Sequence, residues 1–326
     1  MPALTLFDWA KRQGPDSKQA KIVELLNQTN EILDDMLFVE ANQATGHRTT
    51  VRTGLPSATW RMLNYGVPPS KSTTAQVTDT VGMLETYSEV DKDLADLNGQ
   101  TSEFLLSESL AFLESMNQEM AETLIYGDTT VHPQRFTGLS ARFNSLAAKN
   151  GVNIIDAGGT GSNLTSIWLV VWGENTVHGL FPKGSKAGLQ QEHKGQVTLE
   201  DENGGKYEGY RTHFQWKNGL TVRDWRYVVR VANIDISKLK KDPEAADSLD
   251  LPDLLIQAIE KIPNLAMGRP AIYCNQAIRS WMRRQIKNSK NVNISMQEVA
   301  GKKVVSFDEI PVRRVDSILT TESQVQ

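Results

Sequence analysis

The chain has 326 residues, 39% apolar and 23% charged, a balance that excludes a disordered or fibrous protein and allows one large domain or two intimately joined ones. Its 35 basic and 39 acidic side chains leave a formal charge of −4, whereas a protein that grips DNA through phosphates needs a net basic face, so tight DNA binding is not expected. Cys274 is the only cysteine, which rules out an intramolecular disulfide or a multi-thiolate zinc site, and neither a basic, apolar leader nor a run of about 20 apolar residues appears, so secretion and membrane residence are not expected.

After Gly14 and Pro15, the residues Ile22, Leu25, Leu26, Ile32, Leu33, Met36 and Leu37 recur at helical spacing, with Asp16 or Ser17 placed to cap the start. This predicts a helical arm whose narrow apolar stripe packs either on the chain's own body or on a neighbouring subunit. From residue 46 the character changes. Strands are predicted over residues 49–53 and 73–81, and between them Pro68 and Pro69 forbid a central strand position, so residues 57–72 form the tip of an extended excursion. An isolated hairpin is marginal in water, so such an excursion needs another surface to lie on.

Residues 101–127 predict the clearest element, a helix of about 40 Å at 1.5 Å per residue. Leu106, Leu110, Leu113, Met116, Met120 and Leu124 mark its buried face and Glu108, Glu119 and Glu122 its solvent face, with Thr101 or Ser102 as cap and Gly127 as stop. Beyond Pro133 strands are predicted at 166–172, 176–182 and 196–199. A long β-hairpin is predicted from 207–216 and 220–231, turned by Asn218-Gly219. Residues 237–300 return to helix, with Leu254, Leu255, Ala258, Ile259 and Ile262 on one stripe, and Ala277, Ile278, Trp281, Met282 and Ile286 on another. A short strand at 271–273 interrupts them, and strands at 303–307 and 310–315 are expected to rejoin the main sheet.

Reactive chemistry finds no foothold. The glycine-rich stretch 156–162 is followed by Asn163, where a phosphate-binding loop needs lysine and then a hydroxyl, and the stretch 179–186 has Ser185 and Lys186 in exchanged order with Pro182 where a free amide is required. His47, His132, His178, His193 and His213 include no pair at the helical spacing of metal ligands. The acidic stretch 200–205 lacks the spacing of a calcium loop and reads as a solvated turn. There is no nucleophile elbow, and Cys274 reads as an inert core residue. The seven tryptophans, Trp60 among them, are spread along the chain, mostly as core residues. No catalytic, cofactor-binding or metal-binding residue is assigned, and an enzyme is not expected.

The order of elements, with Tyr126-Gly127-Asp128 leading to Pro133, then Phe136-Thr137-Gly138-Leu139 and Phe181-Pro182-Lys183-Gly184-Ser185-Lys186-Ala187-Gly188, resembles the major capsid proteins of tailed, short-tailed bacteriophages. That resemblance implies an α+β, Hong Kong 97-like capsid fold, which encapsulins and the floor of herpesvirus shells share. It implies an N-terminal helical arm (1–45), an extended loop (46–100), a peripheral domain with spine helix and sheet (101–236), an axial domain (237–300), and closing strands with the C-terminus (301–326). By function it implies a subunit that self-assembles, as pentamers and hexamers, into the icosahedral capsid enclosing a double-stranded DNA genome. The chain is then expected in the virion capsid after assembly in the host bacterial cytoplasm, with scaffold, portal and decoration proteins as partners and without cofactor, membrane or sequence-specific DNA binding. Because the helical arm begins near residue 17, the scaffold is expected to be a separate protein. Arg48, Arg52, Trp60, Arg61 and Met62 are the expected inter-subunit contacts, being arginine and aromatic anchors in an exposed loop. An encapsulin-like compartment and an unrecognised soluble enzyme are the alternatives.

Overall fold

The computed structural model describes residues 27–201, 203–239, 249–288, 294–299 and 302–326. Most of the expected helical arm therefore lies outside the described residues. What is described of it is a one-turn helix α1 (Ile32–Asp35) and a strand β1 (Phe38–Glu40). Ile32 and Met36 are buried in the chain's own core, and β1 pairs in parallel with β6 (Val177–Phe181).

Strands β2 (Gly46–Gly54) and β3 (Thr73–Asp91) form the expected antiparallel ribbon, with residues 55–72 as its tip. The helices α2 (Lys92–Asp96), α3 (Thr101–Tyr126) and α4 (Leu139–Arg142) follow. Next come β4 (Ile154–Asp156), β5 (Leu164–Trp172), β6, β7 (Gln190–Glu200), β8 (Lys206–Val222) and β9 (Val228–Asp235). Then α5 (Leu251–Glu260), β10 (Arg269–Cys274) and α6 (Gln276–Asn288) precede β11 (Ile294–Val299), β12 (Lys302–Phe307) and β13 (Ile310–Arg314).

The strands make one mixed sheet with the path β11-β12-β13-β10-β5-β6-β8-β3-β2, to which β1, β4, β7 and β9 attach. All of β5 is buried, which explains its uninterrupted apolar run. Its alternate residues serve two cores. Ile167, Leu169 and Val171 pack with α5 and α6 through Leu255, Ile278, Trp281 and Met282. Trp168, Val170 and Trp172 pack with α3 through Met120, Leu124 and Ile125. Burying each such side chain contributes about 1.5–3 kcal/mol, so this double-sided strand anchors the fold. Cys274 is buried in the first core, and burial pushes its thiol up to about 12.

Four expectations are corrected. Asn218-Gly219 is not a turn: β8 runs straight through it, and neither residue takes the positive φ that the tight turn demands. Asn218 is fully buried with its amide on Met120 Sδ at 3.4 Å, and glycine is needed next because a Cβ there would lie 2.7 Å from Thr80 O. The hairpin is instead β7–β8, turned within the acidic stretch, where Asp201 accepts from the Asn203 and Gly205 amides and Gly204 has φ +80°.

The second correction concerns α3. Gly127 ends it, its N–H on Thr123 O at 2.8 Å, but Thr101 gives its hydroxyl to Asp96 and no side chain caps the first turn. Leu106 and Leu110 are 62% and 51% exposed while Glu108 is buried. Leu106 and Leu124 are five turns apart and share one side of the helix, so the sequence stripe is continuous; the body covers only its C-terminal half. Third, β3 continues ten residues past the predicted strand, pairing with β8 from Val81↔Gly219 to Asp91↔Gly209. Fourth, Ile294–Val299 is a strand antiparallel to β12, not helix. The closing strands do rejoin the sheet, β13 lying parallel to β10.

Beyond β13 the chain runs back across β5. Glu322 N–H donates to Leu164 O, and Val325 and Asn233 exchange two hydrogen bonds. The Glu322 carboxylate is buried against Arg230 (2.9 Å) and accepts from the Ser166 and Tyr126 hydroxyls.

Candidate assembly surface

The ribbon is built from residues that suit a pleated edge but have little of their own body to lie on. β3 is the one strand that β2 pairs with among the described residues, and the outer edge of β2 is open beyond Arg48, whose N–H and O bond the Asn42 side chain. Arg48 and Arg52 point to the same side of β2 and are exposed; they line a groove of about 900 Å³ together with Lys149, Arg223 and Arg226 from the body. Trp60 and Met62 stand at the tip, 104% and 69% exposed, with exposed Arg61 between them. The structure thus brings Trp60, Arg61 and Met62 together and keeps Arg48 and Arg52 apart from them, on the stem.

Four tip residues escaped the sequence reading: Leu55, Leu63, Tyr65 and Val67 are also largely exposed. Their only signal was apolar character in a stretch with no strand or helix period and two prolines. With Trp60 and Met62 they make an apolar end that a monomeric soluble protein has no reason to display.

The stem is held by a polar cluster. Asp79, buried opposite His47 in the β2–β3 register, binds Arg142 at 2.8 Å and the Thr221 hydroxyl at 2.8 Å. Arg142 also donates to Leu220 O, tying α4 to β8. The rings of His47 and His178 meet edge to face at 5.9 Å, and the Arg223 guanidinium lies 3.4 Å from His47 Nε2. His178 Nδ1 lies 3.1 Å from Gly179 O, and its Nε2 has no partner among the described residues. Burial, then Arg223, holds both imidazoles below their usual range, against the opposing pull of Asp79 on His47 and of the Gly179 carbonyl and Glu174 on His178.

The sign of the resulting pH dependence follows directly. Below about pH 6.5 the unfolded chain takes up protons that the folded imidazoles resist, so stability present above that pH is lost as pH falls through and below it. We expect the thermal midpoint to drop by a few degrees between about pH 7 and about pH 5, and the drop to shrink in His178→Gln. An identical pH profile in that variant would remove His178 from the account.

Among the described residues no cluster of His, Cys, Asp and Glu gathers as a metal site, and no helix is long and apolar enough to cross a membrane.

The pattern of the major capsid protein GP7 family matches residues 14–326. No curated protein matches the chain in sequence. Among solved structures, that of bacteriophage epsilon15 is 36% identical, with a TM-score of 0.73, over 100% of this chain and 98% of that one. The bacteriophage JBD30 capsid (10% identical, TM-score 0.49, 90% and 92% covered) and the encapsulin complex of Synechococcus elongatus (12%, 0.47, 71% and 97%) are far more remote and add nothing to the assignment. A likeness at that level cannot sustain the encapsulin alternative, and an enzyme has no place beside a family of shell proteins. An exposed apolar tip on a well-buried body is what a subunit of a larger assembly requires, and the full-length match gives that assembly its kind: the chain belongs to the major capsid protein GP7 family, structural subunits of the phage capsid.

Proposed function

We propose that the chain self-assembles, as pentamers and hexamers, into a closed icosahedral shell around the double-stranded DNA genome of a tailed phage, and that the ribbon tip is one of its inter-subunit contacts. The observation that carries this reading is the tip itself, where Trp60 is wholly exposed among other apolar residues. Trp60, Arg61 and Met62 seat on a neighbouring subunit, and Arg48 and Arg52 meet a neighbour along the stem. Such contacts are individually modest and gain their strength from repetition around a closed shell.

Residues 1–45 then serve as the arm, 46–100 as the extended loop, 101–236 as the peripheral domain, 237–300 as the axial domain and 301–326 as the closing segment. The packing of α5 and α6 in one core and of α3 in the other supports a division into two domains. The net charge of −4 suits a wall that encloses DNA without holding it, and a single buried thiol suits assembly in the reducing host cytoplasm. Scaffold, portal and decoration proteins complete the expected partners.

Electron microscopy of particles containing the chain, with assay of their nucleic acid, tests this. Closed icosahedral shells filled with double-stranded DNA are expected; a small soluble oligomer, or shells filled with protein cargo, would overturn the reading.

A further inference from the structure

The subunit carries opposite charge at its two ends. Residues 46–78, the ribbon, hold Arg48, Arg52, Arg61 and Lys71 and no carboxylate. In the groove at its stem, Arg48 and Arg52 share the lining with Lys149, Arg223 and Arg226. The carboxylate in that lining is Asp224, and Arg226 already holds it at 2.6 Å. Among the described residues Arg48, Arg52, Lys149 and Arg223 have no ion pair, and the buried Arg223 Nε has no hydrogen-bond partner. The groove is thus a set of cations held close together with no anion of their own to meet.

The anions stand at the far end of the same strand. Arg48 and Arg52 lie opposite Thr78 and Thr74 of β3, while Asp91, at its other end, lies opposite Gly209 of β8. Thr78 and Thr74 are therefore about 43 and 56 Å from Asp91 along the strand, at about 3.3 Å per residue. Past Asp91 the β7–β8 hairpin projects further, from Val197↔Gly209 to Glu200↔Lys206. Its end is acidic: Glu200, Asp201 and Glu208 are exposed, as is Asp93 beside them on α2, against Lys206, and Lys92 is taken by Asp96 at 2.9 Å. A finger at one end and a groove at the other cannot meet within one subunit. We propose that the acidic end of a second copy's β7–β8 hairpin enters the groove, where Glu200, Asp201 and Glu208 meet Arg48, Arg52, Lys149 and Arg223. The proposal rests on the shell reading and names the part of the neighbour that the stem receives. Joining one end of a subunit to the opposite end of the next is a head-to-tail contact, the kind that closes into rings.

Disulfide trapping in assembled particles tests it, with full-length chains carrying either Arg52→Cys or Glu200→Cys and the buried Cys274 left in place. Oxidised particles made from both chains together are expected to yield covalent dimers, and particles made from either chain alone to stay monomeric on a denaturing gel. Dimers from a single variant would overturn the proposal in favour of a like-to-like contact, and mixed particles without dimers would overturn it outright. If a cysteine chain does not assemble, charge reversal decides. Arg48→Glu/Arg52→Glu and Glu200→Arg/Glu208→Arg are each expected to lower the yield of shells about tenfold at low salt, and all four changes in one chain to restore it to within about threefold of the native yield. A fourfold variant no better than either pair, or a pair that assembles like the native chain, would sink the contact while leaving the shell reading standing. A native chain that forms no particle would end both.

Discussion

Arg230→Met is expected to destabilise the isolated subunit by about 3–5 kcal/mol, the largest effect of any single polar replacement in the fold. Arg230 and Glu322 are both nearly inaccessible, with side-chain exposures of 3% and 4%. Every nitrogen of the guanidinium has a partner: it donates to Glu322 (2.9 Å), the Ser166 hydroxyl (3.0 Å), Phe143 O (2.8 Å) and the Ser140 hydroxyl (3.4 Å), and it lies 4.9 Å over the Trp168 ring. Tyr126 completes the set as a donor to Glu322, its phenol kept protonated by burial and by the neighbouring carboxylate. Methionine fills the space but leaves Glu322 as an uncompensated buried charge. The companion replacement separates charge from shape. Arg230→Met/Glu322→Leu is expected to recover most of the loss, since a well-packed apolar pair replaces a buried ion pair at little cost. Urea unfolding of the three proteins checks this, and a loss under about 1 kcal/mol for Arg230→Met would show that the pair holds nothing together.

Trp60→Ala is expected to behave oppositely, leaving the subunit as stable as before and weakening the shell. Trp60 is wholly exposed, so among the described residues truncation uncovers nothing that its side chain buries. If the side chain seats on a neighbour, each copy loses a contact of about 2 kcal/mol or more, repeated over the whole particle. Shells should then form in lower yield or come apart at a lower temperature in a heat scan followed by light scattering. Arg48→Ala and Arg52→Ala, whose charges face an open groove, should have smaller effects that fade in high salt. Trp60→Ala shells that form and melt like the native ones would take Trp60 out of the interface.

Where one local pattern sufficed, the elements were legible in the sequence. The apolar run of β5, the spacing of α5 and α6, and the length of α3 all appear in the structure as read. The misreadings have a common cause. Asn218-Gly219 carries the code of a tight turn, yet close packing against Met120 and Thr80 keeps it inside a strand. The α3 stripe looks uniform along its length because sequence records apolarity and not what covers it. Beyond Val81, β3 alternates too weakly to announce itself, since charged and aromatic side chains occupy its exposed face. Of the proposed assembly surface, Trp60 and Met62 were legible as large side chains beside Pro68 and Pro69. The stem cluster was not, because His47, His178 and Arg223 meet only through the fold. The Glu322–Arg230 pair spans 92 residues and left no local trace.

The continuity of β3 has a mechanical consequence. One strand runs from the open ribbon into the body, where it is laddered to β8 from Val81↔Gly219 to Asp91↔Gly209. Tension applied at the tip along the strand loads all of those hydrogen bonds at once, in shear, whereas a sideways force would peel them one by one. The ribbon is therefore a tether stiff along its own axis and pliant across it. Such a subunit can hold a neighbour under outward pressure while still letting the angle between the two adjust.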